Sequence, residues 1–507
     1  MADGEKSITS TYGIGTRLTA QPSEELLEQF QESLSTVDDA AFDASIEVSL
    51  AHIVMLAEEG VITRRDGALL VREVLAIAQL GRAGFLLDPR LGDLLPNMEN
   101  LIISRLGPDV GGRFHTGRSR GDYYVAIARM KFRRRTLDLL DELLRFRQVL
   151  VDLARQHVST LIPGYTVLQH AQPITLGHYL MASADEAERD FMRLREAYRR
   201  VNVSPMGLGI IATTSFPLNR QRVAALLGFD DIVRNGRDLS DRDFVVELAG
   251  GAAIVMVHLN KLAADLQEWA TSEFAMVRVA DADAMTSSMM PQKANPALLE
   301  AVQSRTGSVY GSLMATLAIL KISTGNTSST NACDRPGMEA VREAEGTLRM
   351  LAASLRRLTF NTGRMEELAG SYWSQATDLA DLLVRESELS FRQAHRIVGS
   401  LVSLSYERGL RPIDVDAGMV DEAAIRVIGR RLQLQDDKLR EALDPRQAVE
   451  HRQLIGGPAP EVVTAAIADS VERIGADHRD LADLELRLSS SRESLEQAAE
   501  ELKAAAG

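Results

Sequence analysis

Three long stretches of this chain carry apolar side chains at the spacing of one helix face, and they constrain its fold more than any other feature. In each stretch the apolar residues recur at intervals of three and four positions over several turns. The three stripes are Leu139, Leu143, Phe146, Leu150 and Leu153; Val255, Leu259, Leu262, Leu266 and Trp269; and Leu299, Val302, Val309, Leu313 and Leu320, with Thr306 and Thr316 in the remaining seam positions. A repeat close to 3.5 residues predicts long helices that pack at shallow angles in a bundle.

The rest of the chain favours the same all-α fold class. Few segments alternate with period two, whereas helical spacing continues from about residue 23 to the end. Apolar seams of this length would also bury well against partner subunits. The last 30 or so residues are charged and rich in alanine, which predicts either a surface helix or a frayed tail.

Composition argues against several classes of function. The net charge is −14, from 57 basic and 71 acidic residues, so nucleic acid is not an expected partner. The single cysteine, Cys333, rules out an intramolecular disulfide and a cysteine-based zinc site. The N-terminal residues contain no apolar signal region, and no run of 18 apolar residues occurs. We therefore expect a soluble, cytoplasmic protein without a membrane partner.

A polar segment, DADAMTSSMMPQKANP at residues 281–296, separates two of the apolar stripes. It contains two adjacent hydroxyls, a cation and an amide: Ser287, Ser288, Lys293 and Asn295. Lysine would supply charge, asparagine and backbone N–H groups hydrogen bonds, and serine proton transfer to a carboxylate-bearing ligand. On composition alone, an ordinary solvated connection between two helices is the alternative.

The same segment resembles a known family. TSSMMPQKANP, residues 286–296, resembles the signature loop G-S-S-x-M-P-x-K-x-N-P of the fumarase, aspartase and argininosuccinate lyase superfamily, and departs from it only at Thr286. Further segments, at 377–395 and 443–460, resemble argininosuccinate lyases rather than other members. The resemblance covers roughly residues 20–475.

The resemblance implies an architecture of three helical domains. We expect an N-terminal domain at 1–117, a central bundle of five long helices at 118–366, a C-terminal domain at 367–475 and a charged tail at 476–507. It further implies a homotetramer whose central helices form one twenty-helix core. Each active site would then take segments from three subunits.

A second segment, RFHTGRSRGD at residues 113–122, is a plausible carboxylate clamp because two arginines flank a serine in a turn-prone stretch. A solvated basic loop is the alternative. The segment resembles H-T-G-R-S-R-N-D of the argininosuccinate lyases, whose serine, second arginine and asparagine contact substrate. The match carries over to Ser119 and Arg120, whereas Gly121 stands in place of the asparagine and Tyr123 in place of a glutamine.

A third segment, PGYTVLQHAQPITLGH at residues 163–178, is predicted to be a turn that leads into a helix. It resembles the family's G-Y-T-H-L-Q-x-A-Q-P, in which residues matching Thr166 and Gln169 face the active site. The family's histidine is Val167 here, and valine transfers no proton. His170 is a candidate for that role because i and i+3 share a helix face, and a partly exposed helix residue is the alternative reading.

Other departures fall on segments that contact substrate in the family. The H-T-A-N-E segment reads LPNME at residues 95–99, and the segment that holds the amino-acid end of argininosuccinate falls near residues 323–338. That stretch contains no tyrosine, glutamine or lysine, and Arg335 is its nearest cation. We expect Tyr123 and Met98 to fill vacated space with apolar surface, and Arg335 to bind a carboxylate of the leaving group.

The chemistry implied by the resemblance is a β-elimination that converts an N-substituted aspartate into fumarate and a free amine. Ser287 would remove the proton next to a carboxylate, and Lys293 and Asn295 would hold the resulting aci-carboxylate. Ser119, Arg120, Thr166, Gln169, Ser288 and Arg335 would bind substrate. No metal or organic cofactor is expected. The small-molecule substrate would be a dicarboxylate or amino acid.

Three alternatives remain open at the level of sequence. The chain is an argininosuccinate-lyase-like carbon–nitrogen lyase with a different amine, an authentic argininosuccinate lyase or cycloisomerase-like enzyme, or an inactive structural relative. Intact Ser287, Lys293 and Asn295 favour the first. The loss at Val167 favours the last, although the carboxymuconate cycloisomerases also lack that histidine.

Overall fold

A computed structural model describes residues 22–325 and 327–505 of the chain, so the N-terminal residues considered above for a targeting signal lie outside the described part. The predicted all-α class is confirmed, because helices make up most of the described residues and the strands are short. The strands form two-stranded pairs: β1 (Leu161–Thr166) with β2 (Gln169–Thr175), β3 (Val203–Ser204) with β4 (Asp231–Ile232), β5 (Val277–Arg278) with β8 (Thr359–Phe360), and β6 (Met285–Thr286) with β7 (Ala294–Asn295).

The N-terminal part of the chain is a group of four helices with its own apolar core. They are α1 (Glu24–Ser35), α2 (Asp39–Glu58), α3 (Arg64–Gly84) and α4 (Leu94–Gly111). The side chains of Ser23, Asp38 and Thr63 accept hydrogen bonds from the first turns of α1, α2 and α3, as helix caps do. Tyr123 and Met98 are both buried in this core, so the expectation that they fill space beside a substrate is wrong.

Five long helices form the central bundle. They are α5 (Arg120–Gln156), α6 (Leu176–Val201), α8 (Asp243–Trp269), α9 (Ala297–Leu320) and α11 (Asp334–Leu355), with the short helices α7 (Arg220–Leu226) and α10 (Thr327–Thr330) between them. The three apolar stripes lie on α5, α8 and α9, and their members are buried or packed against one core. Two described helices, α2 and α8, are long and apolar enough to span a membrane, but both are mostly buried within the protein.

The segment at residues 163–178 is a β-hairpin rather than a turn that leads into a helix. β1 and β2 are antiparallel, with Thr166 paired to Gln169 and Tyr165 paired to His170. The two residues between them, Val167 and Leu168, have φ angles of 53° and 58°. Left-handed conformations at both central positions are those of a tight hairpin turn, and α6 begins only at residue 176.

The C-terminal part of the chain is a further series of helices. They are α12 (Thr362–Ala369), α13 (Ala376–Ser387), α14 (Phe391–Glu407), α15 (Ala417–Ile428), α16 (Asp436–Leu443), α17 (Pro445–Glu450) and α18 (Pro460–Ala504). Trp373, Leu383 and Leu401 are buried together among α13 to α16. The domain division remains a prediction, and its expected boundaries at 366 and 475 fall inside α12 and α18 rather than between elements.

The last helix, α18, returns from the C-terminal helices to the N-terminal ones. Its first part is buried against the central bundle through Ile474 and Leu484, and its last turns join the N-terminal core through Leu495 and Leu502. A Cβ atom at Gly67 of α3 would lie 3.2 Å from the Leu502 side chain, so glycine permits this close approach. The segment read as a possible frayed tail is therefore, as far as residue 505, the end of a packed helix.

Ion pairs accompany this packing along α18. Asp477 bonds the fully buried Arg147 of α5 at 2.5 Å, and Asp480 bonds Arg195 of α6 at 2.5 Å. Glu485 lies 2.6 Å from Arg134 of α5. The charges that suggested a solvated tail are thus partly used to join α18 to two bundle helices.

Candidate active site

Ser119 and Arg120 lie at the N-terminus of α5. The Ser119 hydroxyl accepts a hydrogen bond from the Gly121 N–H at 3.3 Å, and the carboxylate of Asp122 accepts one from the Ser119 N–H at 2.9 Å. This reciprocal arrangement is a capping box. Arg120 Nη1 lies 3.0 Å from Asp93 Oδ2. A half-exposed cation at a helix N-terminus is a suitable place for a carboxylate ligand.

Asp122 is a buried carboxylate that organises this end of the molecule, and the sequence reading did not single it out. Its Oδ2 accepts hydrogen bonds from the N–H groups of Gly207 and Gly209, at 3.1 and 3.0 Å. Burial raises the pKa of Asp122 to about 6, although its backbone hydrogen bonds act in the opposite direction. One side chain therefore fixes both the Ser119 turn and the loop at 205–216.

Two further buried side chains, His52 and Arg118, pack beneath the surface at the segment that carries Arg120. His52 of α2 is buried, and its Nε2 lies 2.8 Å from the carbonyl oxygen of Thr116. Burial lowers the pKa of His52 to about 3, so the ring is neutral and Nε2–H donates to Thr116. Arg118, the other arginine of the segment, lies over the Phe114 ring at 4.2 Å and is buried rather than presented to a ligand.

The hairpin carries Thr166 and Gln169 on one face and His170 on the other. Thr166 and Gln169 form the pair next to the turn, and adjacent strand residues alternate between faces. His170 packs instead against Tyr165 and Tyr372, with ring centroids 5.0 and 4.7 Å away. The argument that made His170 a substitute for the missing histidine assumed a helix, and that assumption is wrong.

Ser287 lies in the polar segment, which forms a small hairpin from β6 and β7. Its Oγ accepts hydrogen bonds from the N–H groups of Met289 at 3.2 Å and Met290 at 3.1 Å. Two backbone dipoles directed at one oxygen favour negative charge on it and would stabilise an alkoxide. Ser288 and Lys293 are exposed on the same hairpin, and Asn295 is half-buried at its end.

The predicted site residues are divided between the two ends of the bundle. At about 1.5 Å per residue, the 37 residues of α5 extend for about 55 Å between Arg120 and the hairpin that follows it. α8 ends on the same side of the bundle as the β1–β2 hairpin, because the ring of Trp269, its last residue, lies 4.7 Å from that of Tyr179 in the first turn of α6. The Ser287 segment follows α8 at this end. One chain thus brings Thr166, Gln169, Ser287, Ser288, Lys293 and Asn295 to one end.

Arg335 lies at the opposite end, with Arg120. Its neighbour Asp334 pairs at 3.2 Å with the buried Arg242, which precedes α8. Phe244, in the first turn of α8, lies under the guanidinium of Arg129 of α5 at 4.2 Å. Arg335 itself is exposed. The separation of the two groups means that a single chain does not assemble the complete set of predicted residues.

Comparisons with known proteins match nearly the whole chain. The model of the family described as Lyase matches residues 19–311, and that described as Argininosuccinate lyase C-terminal matches residues 373–450. An argininosuccinate lyase of Methanothermobacter thermautotrophicus is 38% identical over 465 residues, which are 91% of this chain and 99% of that protein.

Solved structures give the same picture. A structure of EDDS lyase in complex with formate is 32% identical, with a TM-score of 0.85, and the match covers 96% of this chain and 97% of that one. A variant of EDDS lyase with bound fumarate is 31% identical, with a TM-score of 0.84 and the same coverage. The similarity therefore extends over the bundle, both ends and most of α18.

Proposed function

The chain belongs to the lyase family that includes the argininosuccinate lyases, and on this premise we propose that its substrate is an aspartate whose nitrogen carries something other than arginine. The protein is a carbon–nitrogen lyase that forms fumarate by β-elimination. The proposed reaction breaks one C–H bond and one C–N bond of the succinyl group. The electron pair of the C–H bond becomes the double bond of fumarate, and the nitrogen leaves as the free amine.

The observation that carries the proposed mechanism is the pair of N–H groups at Ser287 Oγ. A serine hydroxyl is a poor base unless its deprotonated form is stabilised, and both donors are already in position in the free protein. Ser287 then removes the proton next to a carboxylate. Lys293 and Asn295 hold that carboxylate as it gains charge, with Ser288 beside them. The nitrogen keeps the electron pair of the C–N bond and takes up a proton as it leaves as the free amine.

The remaining contacts come from two other segments. Ser119 and Arg120 bind a carboxylate at the N-terminus of α5, and Thr166 and Gln169 bind substrate from the hairpin. The Asp93 carboxylate that pairs with Arg120 keeps the guanidinium in position until a substrate carboxylate shares it. Arg335 binds a carboxylate on the leaving group, if the amine has one.

We further propose a cytoplasmic homotetramer in which each site takes its segments from three subunits. The support for this proposal is that the two groups of site residues in one chain are about 55 Å apart. An antiparallel arrangement of neighbouring bundles would bring the Arg120 end of one subunit beside the Ser287 end of another. The exposed side of α9 is also apolar, with Tyr310, Met314 and Leu317 on the surface, and Gly307 and Gly311 face open space. Helices that are apolar on several sides are usually buried in an assembly.

Departures from the lyase pattern support an amine other than arginine. Val167, at the hairpin tip, is 95% exposed and transfers no proton. The segment at 323–338 contains none of the tyrosine, glutamine or lysine of its counterpart. Each polar group of a bound substrate that loses its partner costs about 1–3 kcal/mol, so several together reduce kcat/KM for argininosuccinate by orders of magnitude.

The test measures fumarate release by its ultraviolet absorbance, with argininosuccinate and a panel of N-substituted aspartates, and in reverse with fumarate and amines. We expect at least one other N-substituted aspartate to exceed argininosuccinate clearly in kcat/KM. Efficient cleavage of argininosuccinate at the best rate of the panel would restore the authentic lyase as the function. Absence of fumarate with every compound would favour the inactive relative.

Mixing experiments test the shared site separately. Arg120→Ala and Ser287→Ala chains, each inactive alone, are unfolded together and refolded as mixed tetramers. A site that draws on several subunits regains part of the wild-type activity in the mixture, because some sites receive both intact segments. Mixtures that remain inactive, or a scattering mass of one chain at micromolar concentration, would contradict the assembly.

A further inference from the structure

Resting on the proposed function, we propose that Ile210 occupies the space of the side chain that position 121 lacks, so that the wall beside Ser119 and Arg120 is apolar and selects N-substituted aspartates with an apolar substituent. This identifies the residue responsible for a specificity that the sequence reading assigned to Tyr123 and Met98. Both of those side chains are buried in the N-terminal core.

The first observation is the environment of Gly121. A Cβ atom built there would lie 2.9 Å from Ile210 Cδ1, 3.1 Å from Leu239 Cδ2 and 3.6 Å from the Gly209 carbonyl oxygen. Real Cβ atoms essentially never lie within 3.0 Å of another atom, so a side chain at position 121 would displace the flexible end of the Ile210 side chain from the place it now occupies. The backbone of Gly121 is ordinary helix, and glycine at the start of a helix lowers its stability. A glycine at position 121 therefore leaves room for the Ile210 side chain, whereas the helical backbone at this position does not itself require glycine.

The second observation is that the loop presenting Ile210 is fixed. The two N–H groups that Asp122 accepts belong to Gly207 and Gly209, directly before Ile210. After it, the Thr213 N–H donates to the Leu208 carbonyl at 2.8 Å and closes the loop. Gly207 and Gly209 have φ angles of 80° and 62°, which only glycine adopts freely. The Ile210 side chain is thus held against the first turn of α5.

The third observation is that the apolar surface continues into solvent. Ile210 is 47% exposed, and Ile211 and Phe216 of the same loop are about as exposed. A protein gains nothing in its own core from three half-exposed large apolar residues on one loop. Beside a carboxylate-binding helix N-terminus, they are suited to a ligand that is anionic at one point and apolar next to it. A guanidinium or a second ammonium group against this wall would lose hydrogen bonds.

The experiment compares kcat/KM for N-isopentylaspartate and argininosuccinate in four proteins. The wild type is expected to prefer N-isopentylaspartate by about 100-fold. Ile210→Ala is expected to lower kcat/KM for N-isopentylaspartate about tenfold and to leave argininosuccinate almost unchanged, because only the apolar contact is removed. The double variant Gly121→Asn/Ile210→Ala, in which the removed side chain makes room for the amide, is expected to reduce the preference by a further factor of about ten.

The fourth protein is a matched control, Ile413→Ala, which truncates a similarly exposed isoleucine in the C-terminal part of the chain. Its ratio of the two kcat/KM values is expected to equal that of the wild type. The single variant Ile210→Ala keeps the test decisive if the double variant does not fold. A ratio of the two kcat/KM values that the Ile210 variants leave unchanged would overturn the inference alone, whereas a wild type that prefers argininosuccinate to every other compound of the panel would overturn the proposed amine as well. A wild type that releases fumarate from neither compound nor any other N-substituted aspartate would overturn both.

Discussion

The two ends of the bundle are built in opposite ways. At the Arg120 end, a buried carboxylate, a buried neutral histidine and a fixed loop hold the binding groups in place. At the Ser287 end, the hydroxyl is held mainly by two N–H groups of its own segment, and Lys293 and most of its neighbours are exposed. The end proposed to bind is preorganised by distant parts of the chain, whereas the end proposed to react is organised locally. Substitutions at the Ser287 end should therefore lower turnover and leave stability unchanged, whereas substitutions at the Arg120 end should lower stability and activity together.

The largest expected effect is on turnover at the Ser287 end. Ser287→Ala removes the proposed base, so kcat should fall by roughly 10³-fold or more. Because the described contacts of the Ser287 side chain lie within its own segment, the thermal midpoint should stay within about 1 °C of the wild type, which is about the shift that 1 kcal/mol causes in a chain of 507 residues. Fumarate absorbance and calorimetry measure the two quantities. Ser272→Ala, in the exposed turn after α8, is the control that should change neither, and native turnover in Ser287→Ala would show that the base is wrongly assigned.

The next effect is on folding at the other end. Asp122→Ala leaves the N–H groups of Ser119, Gly207 and Gly209 without their acceptor, which should lower the free energy of unfolding by about 3–5 kcal/mol per chain. Activity should fall with it, because the Arg120 turn and the Ile210 loop lose their common support. Urea denaturation followed by circular dichroism measures the change. Asp122→Asn keeps one acceptor oxygen, so its free energy of unfolding should lie between those of the wild type and Asp122→Ala. An Asp122→Ala variant as stable as the wild type would show that Asp122 does not hold this end together.

Lys293→Met gives a smaller loss that again leaves the fold intact. The cation is proposed to stabilise the aci-carboxylate, so kcat/KM should fall by the equivalent of about 2–4 kcal/mol. Lys293→Arg should retain part of the activity because charge remains while the geometry changes. Steady-state kinetics with the best substrate of the panel decides. An unchanged kcat/KM in Lys293→Met would mean that charge at this position is not used.

The smallest effect is a pH dependence confined to the Arg120 end. The pKa of His52 is about 3 in the folded protein and about 6.5 when unfolded, so the unfolded chain binds the proton more tightly. This contribution to stability is complete above pH 6.5 and decreases as the pH falls, by about 2 kcal/mol between pH 7 and pH 5. His52→Gln keeps a donor toward the Thr116 carbonyl but does not titrate. Denaturation curves should diverge at low pH between wild type and His52→Gln, and parallel curves would contradict the neutral buried histidine.

Features that depend on neighbouring residues could be predicted from the sequence, whereas those that depend on residues far apart in the chain could not. The stripes on α5, α8 and α9 follow from helical periodicity alone, and Ser287 was found in a short motif. Asp122 and His52 escaped because their partners are 85 and 64 residues away, at Gly207 and Thr116, and no local pattern encodes such distances.

The hairpin was missed for a different reason. Its turn residues are Val167 and Leu168, in conformations for which glycine and asparagine are the usual signals. Val167 therefore has two effects: it cannot transfer a proton, and it gives no sequence signal for the turn in which it lies. The same absence of a turn signal produced the mistaken helix argument for His170.

The return of α18 to the N-terminal helices sets an order of events in the making of the protein. Gly67 of α3 leaves the ribosome long before Leu502, which packs against it, has been translated. At about 5–20 residues per second, the N-terminal core waits roughly 20–90 s for its last apolar side chains. During that interval its surface under α18 is open to water and to chaperones. Only a chain translated beyond Leu502 can close the core that supports the Arg120 segment, so products truncated before Leu502 should remain incompletely folded in their N-terminal helices.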